Sequence, residues 1–90
     1  MKQTIVTRHK VKNIDTWLKG HQDRVRIFAP ALSSFRTFQD TDNPNSVVMV
    51  LEDVDLELFT KILNDPSTQK FKDKHTVLEP IVLSMQVNPK

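Results

Sequence analysis

The spacing of apolar residues changes period several times along the chain, and each change marks an element. Thr4-Ile5-Val6-Thr7-Arg8-His9 is rich in β-branched residues and continues into Lys10-Val11-Lys12, which predicts a first strand. Asn13 can cap a helix in which Ile14, Trp17, Leu18, His21, Val25 and Phe28 recur at helical spacing until Pro30 ends it. Residues 34–40 read as a second strand, with Phe35, Thr37 and Gln39 on one side and Arg36 and Phe38 on the other. Turn formers fill 40–45 and join that strand as a hairpin to Ser46-Val47-Val48-Met49-Val50-Leu51-Glu52. Asp53 or Asp55 then caps a helix carrying Leu56, Phe59, Ile62 and Leu63. Asn64-Asp65-Pro66 breaks that helix and restarts a short one, through about Lys74, whose single large apolar residue is Phe71. The last strand spans 81–87, with Ile81, Leu83, Met85 and Val87 on one face.

The order βαββα(α)β predicts an α+β, ferredoxin-like sandwich whose second helix is broken: one antiparallel sheet with helices on one face, occupying 1–90 as a single domain. The run Val47, Val48, Met49, Val50 and Leu51 changes that picture. A strand sends successive side chains to opposite faces, so a strand apolar on both faces needs cover on both. Helices cover one face. The second is expected to meet another copy of the chain, making these five residues the candidate dimer interface. Each buried Val, Leu or Met contributes roughly 1.5–3 kcal/mol, and leaving several of them wet would make a sticky patch.

Composition narrows the function classes. The 90 residues contain no Cys, which argues against disulfides, thiol chemistry and heavy-metal-transport domains built on a Cys pair. A net charge of +2 is too small an excess to predict nucleic-acid binding. Nor do the two central strands offer the stacking aromatics of an RNA-recognition motif. One Gly, at position 20, rules out glycine-rich phosphate loops, and the Val11-Lys12-Asn13 turn lacks the Gly usual in amino-acid-sensing domains of this topology. No stretch approaches a membrane span or a signal-peptide core, so a soluble, cytoplasmic protein is expected.

The chain resembles the dimeric α+β-barrel superfamily, and within it the small proteins related to antibiotic-biosynthesis monooxygenases. The resemblance rests on His9-x-Val11-x-x-Ile14-Asp15-x-Trp17, on Phe38-x-Asp40-x-Asp42-x-Pro44-Asn45-x-Val47, and on Leu51-Glu52-Asp53-Val54-Asp55. The Asp65-Pro66-Ser67 restart and Pro80-x-Val82 add to it. It implies a homodimer with sheets packed face to face and a small-molecule pocket between sheet and helices in each subunit. Relatives include cofactor-independent quinol oxygenases, haem-degrading proteins, lactone isomerases and members with no known reaction. This sequence departs from the haem-degrading pattern, with no Asn–Trp–His set that aligns, and Ala31-Leu32-Ser33-Ser34 replaces the usual Gly or Cys-Gly before the second strand.

Two histidines are candidate proton acceptors. His21 falls within the apolar stripe of the first helix, either as a helix–sheet histidine satisfied by a neighbour or as a pocket group with a useful pKa. His9 ends the first strand and can lie near a pocket mouth. His75 closes the short helix, where a partly charged ring suits the helix dipole. The three have no metal-ligand spacing, so no metal and no cofactor are expected. Trp17, Phe28 and Phe35 are candidate pocket walls. Arg36 either binds an anionic ligand or pairs with a carboxylate such as Asp40, while Arg24 and Arg26 read as a solvated face. Two functions fit: a small-molecule-binding protein, monooxygenase-like or isomerase-like, acting on a hydrophobic ring compound, or a non-catalytic structural or regulatory homodimer with a filled core. An enclosed cavity with converging polar groups separates them.

Overall fold

A computed structural model describes residues 2–89. Its elements are β1 (Lys2–Val11), α1 (Ile14–Lys19), α2 (His21–Phe28), β2 (Ser34–Gln39), β3 (Ser46–Asp55), α3 (Leu56–Asn64), α4 (Pro66–Lys74) and β4 (Val77–Met85). The strands pair antiparallel in the order β2-β3-β1-β4, and the helices lie on one face. This is the ferredoxin-like α+β arrangement that the element order predicts. Among the described residues no helix is long and apolar enough to cross a membrane.

Helix starts follow the side chains that can accept an orphan amide. Asn13 Oδ1 accepts from Thr16 N at 3.0 Å and Asp65 Oδ1 from Ser67 N at 2.8 Å. Of the two candidates before α3, Asp55 is the cap, accepting from Leu58 N at 3.1 Å. Asp53 instead adopts a left-handed φ of 53° in a β-bulge facing Thr4, where the β1–β3 register shifts. The bulge explains why Leu51 and Val54, three positions apart, are both fully buried.

The first helical stretch departs from the expected single helix over 14–28. It breaks at Gly20, which caps the end of α1 and precedes α2. A β-carbon at this position would sit 2.6 Å from Cε1 of His75, so the glycine serves close approach to the end of α4.

The pleat divides β3 cleanly. Val47, Met49 and Leu51 turn to the helices with Ile5, Trp17 and Phe59 and are buried within the single chain. They cannot meet a partner, which corrects the expectation that all of 47–51 forms a dimer interface. Val48 and Val50 face the other way, with Val6, Phe38 and Val82 on the same face, Arg8 between Val48 and Val82, and Arg36 beside Val50. Phe38 is 46% exposed and Val82 52%. The last strand begins earlier than expected: Ile81 and Leu83 pack on the helix side, but Met85 and Val87 are exposed.

Candidate functional site

Between the helices and the sheet lies a cavity of about 50 Å³. The sheet supplies Thr7, His9 and Met49, α1 and α2 supply Trp17, Arg24 and Phe28, and α3 and α4 supply Phe59, Phe71, Lys72 and His75. Its apolar walls carry an unusual polar set. Both ring nitrogens of His9, the indole Nε1 of Trp17, and Nε and Nη1 of Arg24 are buried without a hydrogen-bond partner among the described residues. Buried polar atoms are nearly always paired, so five such atoms around one cavity single it out.

Local folding puts each of them there. His9 alternates with Thr7 and Val11 on the helix side of β1, and opposite it β4 carries the register shift that leaves Glu79 and Pro80 bulged out of the ladder. Trp17 is fully buried, meeting the His9 ring edge-to-face at 5.6 Å. Because α1 ends at Gly20, the Trp17 carbonyl lacks an ordinary helical donor; it accepts from Gly20 N at 3.0 Å and from Arg24 Nη2 at 2.6 Å. The guanidinium lies over the Trp17 ring, with Cζ 4.1 Å from the centroid. Arg24 is thus a buried cation held in place from two sides, only 6% exposed.

Electrostatics follow from burial. Desolvation, helped by the Arg24 charge, lowers the His9 pKa to about 4, and the ring is neutral at ordinary pH. Desolvation also lowers Arg24 to about 10, against the opposing pull of Asp23, so it keeps its charge at neutral pH. Burial likewise lowers His75, outweighing the hydrogen bond between its Nε2 and Asp23 Oδ2 at 3.2 Å. Partial burial works against ionising Asp23, but His75, Lys74 and Arg26 together outweigh it and hold the carboxyl below its ordinary value. Lys72, in contrast to Arg24, is satisfied: Nζ donates to the Leu63 carbonyl at 2.7 Å and lies 3.4 Å from Glu79. Among the described residues no carboxylate lines the cavity. Among the described residues no three His, Asp or Glu side chains come together to hold a metal ion.

This arrangement has a pH signature. The unfolded chain takes up the His9 proton near pH 6.5 and the folded chain only near 4, so the unfolded state binds more protons between those values. Stability is therefore complete above pH 6.5 and falls as the pH is lowered toward 4, by at most about 3 kcal/mol from this residue. His75 adds loss of the same sign. Urea midpoints across the window should drop with falling pH in the wild type and drop less in His9→Gln; equal slopes would remove the buried neutral ring from the account.

The predicted site residues separate into three places. His9, Trp17 and Phe28 share the cavity. His21 is exposed at the start of α2; its ring lies 5.2 Å from Phe35, and the two line a shallow surface groove with Val25 and Leu32. Arg36 is on the open sheet face, above Phe38 and 3.8 Å from Glu52 rather than paired with Asp40. Arg24, expected on a solvated face, is inside, as are Lys72 and His75. One signal for Arg24 is present in the sequence: Trp17, Gly20, Arg24 and Phe28 form a stripe of their own at helical spacing.

No protein-family model matches the sequence, and no curated protein matches it either. Solved structures do. SnoaB, a cofactor-independent oxygenase from Streptomyces nogalater, superposes with a TM-score of 0.69 at 16% identity, covering 100% of this chain and 96% of that one. A provisionally assigned antibiotic biosynthesis monooxygenase from Bordetella bronchiseptica gives 0.70 at 10% identity, with 99% and 100% covered. A further antibiotic biosynthesis monooxygenase gives 0.66 at 13% identity, with 97% and 98% covered. The chain has the ferredoxin-like α+β fold of the antibiotic biosynthesis monooxygenases.

Proposed function

We propose that the chain is a homodimeric small-molecule-binding protein with monooxygenase-like or isomerase-like activity, needing no cofactor, on a hydrophobic ring compound held in the helix–sheet cavity. The observation that carries this reading is the convergence of unpartnered atoms of His9, Trp17 and Arg24 on an otherwise apolar cavity. Trp17 and Phe28 wall the ring, and His9 takes a proton from it. Both reaction types begin with that step; the resulting anion then meets dioxygen or regains a proton at another atom. His9 is neutral and offers a lone pair, but the neighbouring Arg24 charge opposes its protonation. Transfer becomes favourable as negative charge develops on the ligand nearby. The shared fold with SnoaB, a cofactor-independent oxygenase, supports the absence of a cofactor.

At about 50 Å³ the cavity is smaller than the roughly 300–1,000 Å³ of ordinary ligand pockets, so a ring enters only when a wall yields. Helix α4 is the wall most easily moved. Its buried positions are Thr68 and Lys72, its cap is His75, and its one large apolar residue, Phe71, is half-buried. The uncovered apolar face around Val6, Phe38, Val48, Val50 and Val82 supports pairing of two sheets back to back.

Trp17 is the only tryptophan, so its fluorescence reports on the cavity alone. Titration with single-ring phenols and quinols, with oxygen uptake recorded, should give a saturable change. No change with any ring compound, together with amides of α4 that exchange as slowly as those of the sheet, would favour the structural homodimer with a filled core.

A further inference from the structure

Helix α4 closes one side of the cavity with Thr68, Phe71 and Lys72, and its C-cap, His75, adds a fourth side chain. The two ends of α4 are fastened differently. At its start only Asp65, in extended conformation, separates it from α3, and Lys72 Nζ reaches back to the Leu63 carbonyl. Helices α3 and α4 thus hold each other. At its far end α4 meets α2 through a single carboxylate. Asp23 Oδ2 accepts from His75 Nε2 at 3.2 Å and lies 3.6 Å from Lys74 Nζ. Among the described residues, every side-chain hydrogen bond or ion pair from α4 and its cap to α1 or α2 ends on Asp23. The His75 ring sits directly against Gly20, where a β-carbon would meet Cε1, Cδ2 and Nδ1 at 2.6–2.7 Å. The next residue, Thr76, has a left-handed φ of 62°, which a β-branched side chain rarely adopts. Asn13 imposes it: its N–H donates to Thr76 Oγ1 at 3.1 Å, and its carbonyl accepts from that hydroxyl at 3.2 Å. Strain of this kind persists only where surrounding contacts maintain it, and it gathers at segments that switch.

We infer that Asp23 is a latch: by gripping His75 and Lys74 it holds α4 shut against α2, and its release opens the cavity along that seam. This rests on the ring-binding reading above and adds the route by which a ring enters. Helix α2 contributes Arg24 and Phe28 to the cavity and α4 contributes Phe71 and Lys72, so parting the two helices exposes it. The motion is a pivot of α4 between Asp65 and Thr76, the two backbone joints that flank it and its cap. Asp23 is only partly buried, so water can replace its partners once they part. Arg26 also pairs with Asp23, but from the same helix, and that pair does not cross the seam.

The chain contains no cysteine, so a single one on the sheet wall of the cavity reports its opening. Thr7→Cys supplies it on β1; Met49→Cys, directly across the ladder on β3, takes its place if the first fails to fold. Labelling of that thiol by dithiodipyridine, an uncharged disulfide reagent, should be nearly independent of urea at low concentration, because only α4 moves. Asp23→Ala in the same background should speed labelling about tenfold, the worth of a charge-assisted hydrogen bond. Lys74→Ala removes only the exposed arm and should give roughly a two- to fivefold rise. It decides the matter where Asp23→Ala does not fold. Arg26→Ala should stay within about twofold of the parent, since it takes a partner from Asp23 without touching the seam. An unchanged rate in Asp23→Ala, an equal rise in Arg26→Ala, or labelling that follows global unfolding in urea would each overturn the latch. No ring compound enters this assay, so the ring-binding reading is tested separately, by the Trp17 titration.

Discussion

Val6→Glu is expected to turn a dimer into monomers at micromolar concentration while leaving the fold in place. Val6 lies in β1, a central strand, flanked by Val50 on one side and Ser84 on the other, on the face away from the helices. In the lone chain a carboxylate there reaches water, and the substitution costs little beyond β-propensity. In a back-to-back pair the two-fold axis repeats every contact, so two carboxylates enter the interface from one substitution. Neither has a cation directly across the ladder, because the neighbours are Val and Ser. Burying both unpaired costs roughly 4 kcal/mol or more, about a thousandfold in the dimer Kd. Sedimentation equilibrium of wild type and variant measures this, with Gln22→Glu at an exposed position of α2 as the charge-matched control. A wild type that sediments as a monomer, or a Val6→Glu protein that still pairs, would remove the sheet-to-sheet dimer.

The legibility of the sequence depended on whether a feature was local. Strand order, caps at Asn13 and Asp65, the restart at Pro66 and the double-faced run at 47–51 rest on neighbours along the chain, and the fold follows from them. The site did not follow in the same way. Centring the apolar stripe of 14–28 on Trp17, Leu18, His21, Val25 and Phe28 puts His21 inward and Arg24 outward. Trp17, Arg24 and Phe28 make an equally regular stripe on the same helix, and the choice between the two stripes is made by contacts such as that of Gly20 with His75, between distant parts of the chain. Periodicity cannot register such a contact. The same holds for Asp53, whose bulge brings both Leu51 and Val54 to the core; alternation alone sends them to opposite faces. His9 is legible only as the end of the first strand, because Ile5 and Val6 head opposite faces and leave its parity ambiguous, and Trp17 because a large aromatic at helical spacing is seldom outside. Arg24 was missed because a charge is assigned to solvent by default, yet its long stem and flat head suit a buried place over an indole ring.

Trp17→Ala is expected to be the most damaging single truncation in the chain. The side chain is fully buried, and removing it leaves a void at the meeting point of α1, α2 and the sheet, for a loss of about 3–5 kcal/mol. For a domain of 90 residues that is a large share of a total stability on the order of 5–15 kcal/mol. Packing is only part of the loss. The indole also carries the Arg24 guanidinium on its face and the His9 ring at its edge, so both polar groups lose their support together. Trp17→Phe separates the contributions: it keeps a ring beneath Arg24, loses the N–H and some volume, and should fall well short of the alanine cost. Chemical denaturation followed by circular dichroism gives both values. The enlarged space in the alanine variant keeps Arg24 and His9 among otherwise largely apolar walls and is the size of the ring that was removed, so added indole should raise its Tm and leave the wild type unmoved. An alanine variant within about 1 kcal/mol of wild type would mean that the helices close over the gap, and the rigid cavity wall on which Arg24 and His9 depend would not exist.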